Sequence, residues 1–300
     1  MRLGALAGVL WMGGASISAG AEPPRKLKVH VSVDMEGVAG VVSGDQLGPT
    51  EFEYQRFREF MTKEAIAAVQ AAREAGATEI VVADSHGNGQ NLLIEQFPSD
   101  VRVVRSWPRP LGMMGGIDAS FDAAIFIGYH ASTDNPRGVR AHTFRSALFT
   151  HVGLSGHAIS EGWMNAALAG HFGVPVVMAS GDDVAMAELR QQLGAIETAE
   201  VKRSLGFHSA ETLTPAASVE LIARKVKAAL ARRWEFKAVK VEGAPTLEIG
   251  FKHYLAAEVA SYLPAAERTD AHSVRFRVRD IVEASNLLTF LDNWDQDLKP

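Results

Sequence analysis

The 300-residue sequence contains no cysteine, which excludes disulfides and every thiolate-ligated metal site. It has no P-loop, and no Gly-rich dinucleotide fingerprint follows the first β-like run, so nucleotide-cofactor chemistry lacks its usual phosphate cradle. A G-x-S-x-G elbow is also missing, which removes the common signature of a serine hydrolase. Basic charge is not in excess: the net charge of -5 gives nucleic acid no electrostatic footprint. Beyond residue 21, no stretch is apolar enough to span a bilayer.

What precedes that point reads as an address. Arg2 supplies a positive start, Leu3–Ala19 is an apolar Gly- and Ala-rich run, and Ala19-Gly20-Ala21 forms an A-x-A cleavage site. Residues 1–21 are therefore expected to be a signal peptide cut after Ala21. That predicts a periplasmic or secreted protein with no stable membrane association once the signal is gone. An anchor that is never removed is the alternative, weakened by the Gly and Ser content of the run.

The remainder, with 22% charged and 47% hydrophobic residues, has the composition of a soluble globular protein. Short β-branched runs alternate with helix-like stretches, which predicts an α/β fold with a mainly parallel sheet. Strands are expected at Lys28–Asp34, Glu79–Asp84, Val101–Val104, Ala123–Gly128 and Pro175–Ala179, with a long helix over Glu51–Ala75. Beyond about residue 200 the pattern changes to helices and strand-like runs without a metal-type cluster. The expected organisation is an α/β metal-binding catalytic domain over 22–200 and a smaller α+β subdomain over 201–300.

In an open α/β sheet, ligands bind at the carboxyl ends of strands, and the candidate residues fall there. Asp34 and Glu36 close the first apolar run two residues apart, so a strand would present both on one face. His86 follows the second run in Asp84-Ser85-His86-Gly87, where Asp84 is expected to hold the imidazole through its other nitrogen. His130 follows the most apolar run of the chain. Glu161 stands at the start of a helix, where a carboxylate also suits the dipole. His142 lies in a loop and reads as exposed unless a metal centre is close, in which case it becomes a candidate for proton transfer or oxyanion stabilisation. Asp182 and Asp183 could orient ligands or cap the following helix, and the structural role is the expectation.

Two imidazoles and three carboxylates make a donor set suited to zinc, and to two zincs. Two Zn²⁺ ions balance three carboxylates plus one hydroxide, whereas a single zinc would leave an uncompensated negative charge in low-dielectric surroundings.

The motifs SVDMEG at Ser32–Gly37, DSHG at Asp84–Gly87, GYHA at Gly128–Ala131, SEGWMNA at Ser160–Ala166 and SGDD at Ser180–Asp183 occur in that order, with the His142 loop between GYHA and SEGWMNA. In that order they resemble the M55 family of D-aminopeptidases, over residues 27 to 290. The resemblance implies a zinc aminopeptidase with two ions per site, acting on short peptides that begin with a D-residue, such as D-Ala-D-Ala. It implies Asp34, Glu36, His86, His130 and Glu161 as metal ligands, with Asp34 as the bridge, and His142 as the catalytic residue. It also implies a homo-oligomer, a ring-like decamer. Ala141 stands where a Ser is expected, and the signal-like start is a second departure from the family pattern. Two rival readings are a mononuclear metallohydrolase (amidase or phosphoesterase) and an exported peptide- or metal-binding protein without catalysis.

Overall fold

The structure is a computed structural model that describes Met1 and residues 26–294. Apart from Met1, the expected signal peptide lies outside the described residues. The elements run β1 (Leu27–Val33), α1 (Tyr54–Glu74), β2 (Ala77–Asp84), β3 (Arg102–Val104), β4 (Ala123–Tyr129), β5 (Phe149–Leu154), β6 (His157–Ala158) and α2 (Glu161–His171). They continue with β7 (Val176–Asp182), α3 (Asp183–Leu193), β8 (Glu197–Gly206), β9 (Ser209–Thr212) and α4 (Pro215–Ala231). The last are β10 (Thr246–Phe251), α5 (Tyr254–Ala260), β11 (Ala266–Arg268), β12 (Ser273–Arg277) and α6 (Ile281–Asn293).

Local chemistry accounts for where these elements start and stop. Ser160 caps α2 by accepting the Trp163 N–H, and Asp182 caps α3 by accepting the Ala185 N–H at 2.9 Å. Such caps are each worth about 0.5–2 kcal/mol. The α1 helix gives way to Gly76 at φ +98°, a conformation glycine adopts without a Cβ penalty.

Seven strands form one sheet in the order β3-β2-β1-β4-β7-β8-β9, parallel throughout except for the β8–β9 hairpin at its edge. The order reverses between β1 and β4. Such a switch point opens a crevice at the carboxyl ends of the strands. A second, antiparallel sheet has the order β11-β12-β10-β5-β6. It takes β5 and β6 from before residue 200 and β10 to β12 from after it, while β8 runs through position 200 and completes the parallel sheet.

The parallel sheet is covered on both faces. Val29, Val31 and Val33 of β1 pack into the core shared with α1 and α4. Residues of α2, α6 and the antiparallel sheet form the other core, with Phe126 and Tyr129 of β4. The alternation in β1 sends His30 and Ser32 to that second face, where both are buried. There the His30 Nε2–H donates to the Gly115 carbonyl at 3.0 Å, and the Ser32 hydroxyl lies 2.8 Å from the Tyr129 and Ser85 hydroxyls. Among the described residues no helix is long and apolar enough to cross a membrane.

Candidate metal centre

The site begins where β1 and β4 end. The Asp34 N–H donates to the Ile127 carbonyl at 2.8 Å, and the Gly37 N–H donates to the Gly128 carbonyl at 2.7 Å. A Cβ on Gly37 would lie 2.1 Å from the Tyr129 oxygen, and one on Gly128 would lie 2.2 Å from the Asp34 oxygen. Gly128 also has φ +73°, so both space and conformation require glycine there. Two bare backbones in contact thus bring the acids after β1 against the histidine after β4.

Six side chains converge on this crevice. The His86 Nδ1 lies 2.9 Å from Glu36 Oε2 and 3.3 Å from Asp34 Oδ1. His130 Nε2 lies 3.3 Å from Asp34 Oδ2 and 3.4 Å from Glu161 Oε1. His142 Nε2 is 3.9 Å from Glu36 Oε1 and 3.8 Å from Glu161 Oε1, and its ring stacks on His130 at 4.0 Å. The donors fall into two groups, Asp34–Glu36–His86 and His130–His142–Glu161, each with ligand atoms within 4.8 Å of one another. Asp34 offers one oxygen to each side.

The outward nitrogen of each imidazole is fixed by the main chain. The His86 Nε2–H donates to the Leu47 carbonyl at 2.8 Å, the His130 Nδ1–H to Ala131 at 3.0 Å, and the His142 Nδ1–H to Arg140 at 2.7 Å. In the neutral rings those protons leave the lone pairs on the inward nitrogens, as metal ligation requires. Asp84 does not hold His86, contrary to the expectation from sequence. Its carboxylate accepts the Asn91 and Leu92 N–H groups at 2.6 and 2.7 Å and the Asn91 side-chain amide at 2.8 Å, shaping the loop after β2 instead. A bent loop with free N–H groups out-competes an imidazole that already has a carbonyl partner.

Electrostatics point to a cation. Burial and the neighbouring Glu36 raise the Asp34 carboxyl. Burial would also raise Glu36 and Glu161, yet the adjacent imidazoles outweigh it, holding Glu36 well below the usual carboxylate range and Glu161 below it. Burial would lower His86 and His130, but the carboxylates beside them hold both well above the ordinary imidazole range. The acids therefore draw positive charge into a closed site. Asp34 Oδ2 and His130 Nε2 are buried and lack a hydrogen-bond partner among the described residues. Orphaned atoms of this kind are rare in folded proteins, and a nitrogen-and-oxygen donor set around them fits zinc.

Neighbouring residues fix the loops. Buried Lys202 of β8 donates to the carbonyls of Glu36, Val38 and Val41, and so ties down the turn that carries Glu36. Sequence alternation hides this lysine, because the β7–β8 register shifts beside it and turns it inward after buried Val201. On the other side Asp182 accepts the Val139 N–H at 3.2 Å, the Phe207 carbonyl accepts the Arg140 N–H at 3.0 Å, and the Ser204 hydroxyl donates to the Arg137 carbonyl. These bonds hold the loop leading to His142. Asp183 accepts the Ser204 N–H at 2.7 Å, a structural role.

A cavity of about 170 Å³ opens beside Glu161, with Trp107, Met113, Phe144 and Leu288 in its walls. The Phe144 N–H donates to Glu161 Oε1 at 2.6 Å, joining the cavity wall to the cluster.

A buried cluster of imidazoles and carboxylates at a switch point, beside an apolar cavity, has the layout of a metal-dependent hydrolase. The sequence profile of the M55 peptidase family, described as D-aminopeptidase, matches residues 27–290. A D-aminopeptidase of Bacillus subtilis (strain 168) is 32% identical over 259 residues, covering 86% of this chain and 94% of that protein. A solved structure described as the Zn-dependent D-aminopeptidase DppA from Bacillus subtilis, a self-compartmentalizing protease, superposes with a TM-score of 0.85 at 31% identity, covering 88% of this chain and 96% of that one. The chain belongs to the M55 peptidase family and is a peptidase.

Proposed function

We propose that this protein is a zinc-dependent aminopeptidase that releases an N-terminal D-residue from short peptides such as D-Ala-D-Ala, using two zinc ions. The observation that carries this reading is the Asp34 carboxylate, whose two oxygens lie 3.3 Å from His86 and 3.3 Å from His130. Asp34, Glu36 and His86 would hold one ion, and Asp34, His130 and Glu161 the other. Zinc held there supplies Lewis acidity to the scissile carbonyl and lowers the pKa of the attacking water.

The chain's own residues do the rest. With its Nδ1–H committed to the Arg140 carbonyl, His142 can exchange a proton only at Nε2. From that nitrogen it hydrogen-bonds the developing oxyanion or passes a proton to the leaving amine. The apolar walls of the adjoining cavity exclude water from the reacting amide. The grouping of His142 with His130 and Glu161 also supports a second reading, in which His142 is itself a ligand.

The test is metal content of protein purified without chelator, together with turnover of paired D- and L-dipeptides. About two zincs per chain and a preference for the D-series are expected. One zinc per chain would remove the dinuclear assignment, and equal turnover of both series would remove the stereochemical one.

An exported address and a homodecamer belong to the same proposal. Exposed Phe52, Leu205, Phe207, Trp234 and Tyr262 supply apolar surface for self-association. Light scattering at a monomer mass would sink the decamer, and an uncut N-terminus in the cytoplasmic fraction would sink export.

A further inference from the structure

We propose that Asp292 anchors the α-ammonium group of the substrate's N-terminal residue. This rests on the aminopeptidase reading and adds to it the residue that recognises a free amine.

Asp292 and Glu161 line the same cavity, so a group bound at Asp292 sits in a chamber that adjoins the metal cluster. Asp292 Oδ1 is buried and has no hydrogen-bond partner among the described residues. Its closest cation is Arg145, whose Nε lies 4.0 Å from that oxygen, too far for a hydrogen bond. The Arg145 guanidinium donates instead to the main-chain carbonyl of Asp292. Arg145 therefore balances charge and leaves an acceptor unused.

The position is also wrong for helix stability. Asp292 lies in the last turn of α6, where the macrodipole disfavours a carboxylate. A residue that breaks a local rule and keeps an unsatisfied buried oxygen calls for an explanation, and a bound ammonium group supplies one. The same helix end favours a cation, so dipole and carboxylate act together on an ammonium group. Trp107, Met113 and Leu288 give the substrate's first side chain an apolar surface, and about 170 Å³ admits one small residue. The chemical class is a small amino acid or peptide with an unblocked amino terminus, held with its first carbonyl toward Glu161 and the metal cluster.

The test compares zinc-loaded full-length wild type with Asp292→Asn. Losing a charge-assisted hydrogen bond should raise KM for D-Ala-D-Ala about 10- to 100-fold. The kcat should move little, and zinc content should not change. D-alanine, read by calorimetry, should bind the variant more weakly by a similar factor. Asp292→Glu, which keeps the charge on a longer arm, should recover part of the loss. A crystal structure of the wild type with D-alanine gives a readout that no variant's folding can spoil, and the ammonium is expected within hydrogen-bond distance of Asp292. An unchanged KM in a folded Asp292→Asn protein, or an ammonium placed elsewhere, overturns this assignment alone. No turnover of any D-peptide by the wild type would overturn the aminopeptidase reading and this assignment with it.

Discussion

The two halves of the metal centre are built differently. Asp34, Glu36 and His86 sit just past the ends of β1 and β2, and all three are buried. Behind them Lys202 gathers three carbonyls, and Glu64 accepts the Ala39 N–H and the Ser218 hydroxyl. The other half combines a strand tip (His130), a loop (His142) and a helix start (Glu161), beside the cavity. The His142 side chain keeps 12% of its surface exposed, against 7% for His86. The difference lies at His142, the most open of the six side chains and the one placed to meet a substrate, while His130 and Glu161 are as closed as the first half.

Asp34 offers one oxygen to each half, so Asp34→Ala should break the comparison outright. Loss of bound metal and a fall of activity to background are expected, read by metal analysis and kcat/KM. Next, His86→Ala should lose metal, whereas His142→Ala should keep it and lose about 10²- to 10⁴-fold in kcat, the usual range for a positioned acid or base. Retained activity in His142→Ala would remove its proton-transfer role, and loss of one zinc would make it a ligand.

Gly128→Ala attacks the joint between the halves, where a Cβ would lie 2.2 Å from the Asp34 oxygen. A destabilisation of about 2–4 kcal/mol is expected by denaturant titration.

Glu64 probes the buried half by pH. Burial, opposed by Ser218, Ala39 and Lys202, raises its carboxyl from 4.5 to about 7. The folded state thus holds this proton more tightly. The resulting stability is full below pH 4.5 and is lost as pH rises to 7, a difference of about 3 kcal/mol. Glu64→Gln should remove that slope and be the more stable protein at pH 8, and an unchanged slope would contradict it. The smallest effect is expected from Arg140→Ala, which removes the guanidinium stacked over Phe207 at 5.3 Å. Loss of about 0.5–1 kcal/mol at an exposed contact should lower kcat only about two- to five-fold, with metal content unchanged.

The strand-tip residues of both halves were far more legible in sequence than the loop residue of the second. A short apolar run followed by Asp-x-Glu-Gly or Ser-His-Gly marks a strand tip by local pattern alone, and β1, β2 and β4 lie within one residue or two of where the pattern puts them. His142 carries no such mark, because its placement depends on hydrogen bonds its loop makes to Asp182 and Phe207 and accepts from Ser204, all distant in sequence. The β8–β9 hairpin also escaped. Its strands mix charged and small residues, and only pairing with β7 makes them part of the sheet. Asp292 carries no motif in the sequence, and only the cavity beside it singles it out.

The carbonyl partners of His86, His130 and His142 have a consequence for inheritance. A carboxylate in that position could be deleted by one base change, but every residue type supplies the same carbonyl. These three hydrogen bonds therefore make no demand on the side chains of Leu47, Ala131 and Arg140, only on the main chain that carries them. For aiming the imidazoles, what lineages must preserve is the length and course of those loops, so insertions and deletions beside the three positions should be purged.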